Sequence, residues 1–229
     1  MKGQLTNRVS TRPMPHPGGG WGDEPMPSRM PKRPLSRRIA GRILRSIKTA
    51  VGIDSYLQTE DRRVLEQMIF PYFMNNSALN DIVFVGCDWY TRGYNAWFRE
   101  KHYCTIELDP SKRKYGAPHH IVDGLQNISR HMSPDTVDAI ICNGVFGWGL
   151  NQSADVDKAV WGCHEVLRPG GLLVIGVDGV EERRPEALER SHALLAFEPF
   201  VFPALGTADY VTDTPYRHRF IFFRKQLLD

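Results

Sequence analysis

The chain's 229 residues suffice for one ordinary α/β domain plus an appendage and would be a squeeze for two full domains. Its 41% hydrophobic and 24% charged residues are the make-up of a soluble globular protein, and no apolar run approaches the ~20 residues that cross a bilayer, which argues against a transmembrane enzyme. The formal net charge of +3 conceals an asymmetry: residues 1–50 hold 11 Lys or Arg against Asp23 and Glu24, a net +9, whereas the other 179 residues hold 18 basic and 24 acidic side chains, a net −6.

Cys87, Cys104, Cys142 and Cys163 lie far apart, with no C-x-x-C pair and no nearby His at metal-ligand spacing, so they are read as buried free thiols and no metal site is expected. No charged n-region, apolar h-region and small-residue cleavage site opens the chain; reducing, cytoplasmic surroundings are the expectation.

In chain order, the opening stretch is punctuated by Pro13, Pro15, Pro17, three consecutive glycines, Pro25, Pro27, Pro31 and Pro34, and residues 1–35 are expected to be a disordered basic tail. Ser36 then heads an expected helix over 36–51, in which Ile39, Ile43, Leu44, Ile47 and Val51 share a face flanked by Arg37, Arg38, Arg42, Arg45 and Lys48. Such a basic amphipathic helix suits an anionic membrane surface, which would place the protein peripherally on the inner membrane face. A second helix, expected from Asp54 or Ser55 with Leu57, Val64, Leu65, Met68 and Ile69 on one side, should stop around Pro71. These N-terminal helices occupy 36–77, ahead of an α/β domain over 78–229.

From Asp81 onward, apolar runs of three to six residues alternate with helical or loop segments. The runs are 82–85, 103–106, 120–122, 137–142 and 172–175, and their lack of alternation suits strands of a parallel sheet buried on both faces. Val156, Val160, Cys163 and Leu167 mark a helix that Ser153 should cap and Pro169-Gly170-Gly171 should close. A further helix is expected near Glu186 to Leu195. Tyr210-Val211 and Phe220 to Phe223, separated by Asp213-Thr214-Pro215, should form an antiparallel hairpin.

A parallel sheet binds ligands beyond the carboxyl ends of its strands, so the residues that end each run carry the information. Gly86 ends the first, where a missing Cβ admits close approach. Glu107 or Asp109 ends the second, where a carboxylate can accept both hydrogens of a ribose diol. Asp123, followed by Gly124, ends the third, well placed for an adenine amino group, and Asn143-Gly144 ends the fourth. The first three of these ends offer a site for one nucleoside.

The stretches VFVGCDWYT (83–91), YCTIELDP (103–110), HIVDGLQN (120–127), VDAIICNGVFGWG (137–149), HEVLRPGGLLVIGV (164–177) and RHRFIFFRK (217–225) resemble the class I S-adenosylmethionine-dependent methyltransferases. The resemblance implies a Rossmann-like, mostly parallel seven-stranded sheet with helices on both faces, antiparallel only at its last strand. It also implies S-adenosylmethionine across the first two strand ends, with Asn143, Gly144 and Val145 under the transferred methyl group. The departure lies in the first turn: Phe84 stands at the family's acidic position, and of the usual glycines only Gly86 remains, followed by Cys87, Asp88, Trp89 and Tyr90. This Gly-x-x-Trp-Tyr-Thr turn is similar to a variant in bacterial methyltransferase-like proteins, some associated with polysaccharide synthesis. Trp89 or Tyr90 would then face the sulfonium or adenine, or else pack the first helix.

The expected activity is methyl transfer to a small-molecule or glycan acceptor at oxygen. A hydroxyl acceptor requires a base, for which His164, His192, His218 and Asp178 are candidates with none singled out. A nicotinamide-binding domain fits poorly, because G-x-G-x-x-G is lacking and the C-terminal hairpin argues against it. The remaining rivals are a non-catalytic binding module of the same fold and a nucleic-acid methyltransferase. The latter ranks lower, since the body has no aromatic-interleaved basic surface and no Asn-Pro-Pro-Tyr run.

Overall fold

A computed structural model describes residues 59–227. The tail over 1–35, the basic helix over 36–51 and the expected start of the second helix lie outside the described residues.

Five strands run parallel in the order β3-β2-β1-β4-β5: β1 (Asp81–Val85), β2 (His102–Glu107), β3 (His119–Val122), β4 (Val137–Asn143) and β5 (Leu167–Val177). Next come the short β6 (Phe197–Pro199) and β7 (Asp209–Val211), then β8 (Arg219–Lys225), which lies antiparallel beside β5. Both short strands pair antiparallel with the far side of β8, so the expected 210–223 hairpin forms and β8 alone runs against the sheet.

The seven expected strands become eight among the described residues, because the sixth is interrupted. Between β6 and β7 the chain loops out through Pro203 and Gly206, the latter at φ +66°, while Phe200 N–H still donates to Phe222 O and Phe222 N–H to Ala208 O. One edge strand is thus delivered in two pieces, with β6 ending at Pro199 where a missing donor suits an edge.

Residues alternate between two cores, which explains the unbroken apolar runs. Val83, Val85, Ile106, Ile140, Cys142, Leu173 and Ile175 pack on one face against α4 (Ser153–Val166). Ile82, Phe84, Ala139, Ile141, Leu172, Val174, Phe220 and Phe222 face the N-terminal helix. Phe84, at the family's acidic position, is fully buried edge-on to Phe70 and Tyr94, so a carboxylate there would lose its water inside an aromatic cluster.

That helix runs as α1 (Glu60–Val64), a π-helical turn over Leu65–Ile69, and α2 (Phe70–Asn75). The expected stop at Pro71 is overturned. Pro71 occupies the first turn of α2 and the wider π turn precedes it, relieving the clash that a proline ring makes with the carbonyl four residues back.

Two other expectations change. Ser153 is the first helical residue of α4 and not its cap: the boundary falls at Gln152, whose carbonyl accepts from Val156 N–H, and no side chain caps it. The helix expected over 186–195 breaks into α5 (Glu186–Glu189) and a 3-10 turn over His192–Ala196, because extended Ser191 donates its hydroxyl to Asp157 on α4. The remaining helical segment, α3 (Tyr94–Trp97), follows β1, and short 3-10 segments over Pro110–Tyr115 and Leu125–Arg130 serve the β2–β3 and β3–β4 crossovers. All four cysteines are buried and free. No helix among the described residues is long and apolar enough to cross a membrane.

Candidate functional site

The tips of β1, β2 and β4 converge. Gly86 leaves β1 at φ +88°, its N–H bound to Ile106 O at 2.9 Å, and a Cβ there would meet only Val145 Cγ2 at 3.4 Å and Asn143 O at 3.7 Å. Gly144 leaves β4 at φ +71° with nothing within 4 Å of a Cβ. Both backbones take a conformation that L side chains rarely adopt, and the space before Gly144 is open.

Glu107 closes this opening from β2. Its Oε2 accepts the Cys87 N–H at 2.8 Å and its Oε1 the Asp109 N–H at 2.9 Å, so the carboxylate is fixed between two turns. Each oxygen retains capacity for another hydrogen, and a ribose diol therefore fits the donor and acceptor chemistry present. Asp109 is exposed and caps the following 3-10 turn through Ser111 N–H, a bond that lowers its pKa. Burial pushes the neighbouring Cys87 thiol up to about 12, which makes it a packing group and not a nucleophile.

Asp88, Trp89 and Tyr90 form a tight unit. Asp88 Oδ1 accepts the Trp89 N–H at 2.7 Å, and a reciprocal box with Thr91 completes the cap. Trp89 stands edge-on to Tyr90, with ring centroids 5.3 Å apart. Over the Tyr90 ring, at 4.1 Å, lies the guanidinium of Arg62, which also donates to Tyr94 Oη at 2.7 Å; Tyr94 in turn donates to Glu66. Arg62 is 5% exposed, so a buried cation on α1 latches the N-terminal helix onto this turn.

At the tip of β3, Asp123 accepts from Gly124 N–H, the Asn127 amide and His131 Nε2. His131 and Asn127 together hold its carboxyl down at about 2, and it remains ionised.

A second cluster occupies the same end of the sheet. Asn143 Oδ1 lies 3.0 Å from His218 Nε2, and His218 Nδ1 lies 2.7 Å from Asp178 Oδ1. The other oxygen of Asp178 accepts from Arg183 at 2.9 Å. Burial pushes the Asp178 pKa up, but His218 and Arg183 outweigh it and hold the carboxyl below its usual range. Gly176 makes room for this chain, since a Cβ there would sit 1.9 Å from Asn143 Oδ1.

Of the candidate bases, the structure brings Asp178 and His218 together at the strand tips. His164 lies in the last turn of α4, edge-on to Phe197 at the opposite end of the sheet, and exposed His192 begins the 3-10 turn before β6, outside this cluster. Sequence reasoning passed over Arg62, Trp148, Arg183 and Tyr216. Trp148 stood between two glycines and Arg62 within an apolar helical pattern, which were usable signals. Arg183 had none.

Among the described residues, no group of three or more His, Cys, Asp or Glu is placed to hold a metal ion. No protein-family profile and no curated protein sequence matches the chain. Solved structures do match. The PH0226 protein from Pyrococcus horikoshii OT3 is 11% identical with a TM-score of 0.52, over 79% of this chain and 99% of that one. The N-methyltransferase NodS from Bradyrhizobium japonicum WM9 is 14% identical with a TM-score of 0.51, over 72% of this chain and 96% of that one. The likeness is one of fold: this chain has a Rossmann-like, mostly parallel sheet like that of the NodS methyltransferase.

Proposed function

We propose that the chain transfers a methyl group from S-adenosylmethionine to a small-molecule or glycan acceptor, at oxygen. The observation that carries this reading is the placement of Glu107 beside the Gly86 turn and across from the open face of Gly144. Glu107 would take the ribose hydroxyls, Asp123 and Gly124 the adenine side, and Gly86 with the Asp88-Trp89-Tyr90 turn the amino-acid end. Asn143 and Gly144 would stand beside the reacting centre. The bound cofactor supplies an electrophilic methyl group on a sulfonium.

The residues around it contribute position and proton handling. His218 is the imidazole nearest the tip of β4; its two ring nitrogens face the acceptors Asp178 Oδ1 and Asn143 Oδ1, so it would take the proton of a hydroxyl acceptor only once the Asn143 amide turns its nitrogen towards Nε2. That the methyl-transferring NodS shares the fold supports the reaction class. The Gly-x-x-Trp-Tyr-Thr turn is similar to that of bacterial methyltransferase-like proteins, some of them associated with polysaccharide synthesis, and this is the ground for including a glycan among the acceptors.

Calorimetry of the full chain with S-adenosylhomocysteine and, separately, NAD tests the reading. We expect saturable binding of the former and none of the latter; the reverse pattern rejects it. A second reading, a module that binds without transferring, is favoured by Phe84 replacing the family's acidic residue. It would show cofactor binding with no loss of label from methyl-labelled S-adenosylmethionine across a panel of sugar and phenol acceptors.

A further inference from the structure

Three loops meet at the strand tips beyond Asn143, and each contributes one large side chain to the same spot. Trp148 comes from the loop after β4, Arg183 from the 3-10 turn over Glu181–Arg183 after β5, and Tyr216 from the loop before β8. The Arg183 guanidinium lies 3.9 Å over the Trp148 ring and 5.6 Å from the Tyr216 ring. The loops are fitted closely to one another. A Cβ on Gly147 would sit 2.2 Å from the Arg183 carbonyl oxygen, and Gly179 N–H donates to Tyr216 O at 2.9 Å.

Despite that fit, the cluster faces solvent. Trp148 is 54% and Tyr216 39% exposed, and a third of the Arg183 side chain is open. Arg183 is fixed from behind by Asp178, whose second oxygen is already committed to His218. Stacking on Trp148 and bonding to Asp178 hold the guanidinium plane in place, leaving its outer edge as a preset fork for a planar anion.

We propose that Trp148, Arg183 and Tyr216 form the acceptor-binding platform, and that it takes a small ring-bearing molecule carrying a carboxylate, either a sugar acid or an aromatic acid. The ring lies on the exposed flank of the aromatic side chains and the carboxylate meets the edge of Arg183. The Asn143–His218–Asp178–Arg183 chain connects this platform to the tip of β4. Its role as an acceptor site rests on the proposed methyl transfer, whereas its affinity for such ring acids does not.

The test is NMR titration of the full chain, with and without S-adenosylhomocysteine, following the Trp148 indole N–H assigned through its loss in Trp148→Phe. D-glucuronate and 4-hydroxybenzoate are the probes, with D-glucose and phenol as their neutral counterparts. At least one acid should shift Trp148 saturably, with an affinity about tenfold or more above its neutral counterpart and lowered at least about tenfold by Arg183→Gln. Which acid binds names the source as sugar or aromatic. Trp148→Ala, at an exposed position, serves if Arg183→Gln disturbs folding, and it should lose the same affinity when followed by calorimetry. The platform is overturned if neither acid binds, if the neutral compounds bind equally, or if both variants bind like the parent. Failure of S-adenosylhomocysteine to bind while the acids still do would reject the methyltransferase reading and leave the platform standing.

Discussion

At the tip of β1, the positive φ of Gly86 and the room around it make opposite demands on a substitution. Gly86→Val should cost about 1–2 kcal/mol of folding stability through backbone strain. If the turn admits the cofactor's amino-acid end, it should also lower S-adenosylhomocysteine affinity at least about tenfold in protein that remains folded. Melting curves and calorimetry on one sample separate the two effects, and undiminished binding would remove Gly86 from the site. Asp123 gives a pH signature. Its folded-state pKa of about 2 lies below the unfolded value, so its stabilisation is complete above about pH 4 and is lost as pH falls towards 2. Because its side chain is 27% exposed, the effect should stay under about 1 kcal/mol. Asp123→Asn should flatten that acid limb of the melting profile; an unchanged limb would contradict the assignment. Glu107, Gly86 and Asn143 were legible in the sequence because each directly ends an apolar run. The link from Asn143 to His218 was not, since 75 positions separate two residues that only the pairing of β8 with β5 brings together.

Elements differ in how plainly they announce themselves. The five parallel strands and α4 were readable because burial on both faces, or on one helical stripe, writes a long pattern. Short pieces write less: three-residue β6 left no readable run, β7 showed only as Tyr210-Val211 beside its turn, and the break at Ser191 depends on a hydroxyl reaching Asp157 on another helix. Pro71 misled because a π turn, set by tertiary packing, lets the helix continue through it. The same helix carries the Arg62 latch. Arg62→Met keeps bulk but removes the contact with Tyr90 and the bond to Tyr94, and should cost about 2–3 kcal/mol. Chemical denaturation measures this; a midpoint equal to the parent's would show that the latch does not hold the helix.

For the whole molecule, the charge asymmetry supports a proposal that residues 36–51 attach the protein reversibly to an anionic bilayer. Basic residues near such a surface contribute about 1 kcal/mol each, and the apolar positions add to that. Full chain should co-sediment with phosphatidylserine vesicles at low salt and lose binding in high salt, on neutral lipid, or when Arg42, Arg45 and Lys48 are changed to Glu. Salt-insensitive binding, or binding unaffected by the substitutions, would rule out this electrostatic attachment.

The claim on which the rest depends is that the β1–β2 tips hold S-adenosylmethionine with Glu107 on its ribose. The most direct measurement is the dissociation constant of S-adenosylhomocysteine for the parent and for Glu107→Ala, by calorimetry. Loss of a charge-assisted pair of hydrogen bonds, about 1.5–3 kcal/mol, should weaken binding roughly ten- to a hundredfold while the variant stays folded. Equal affinity in the two proteins, or no binding by the parent, would contradict the account.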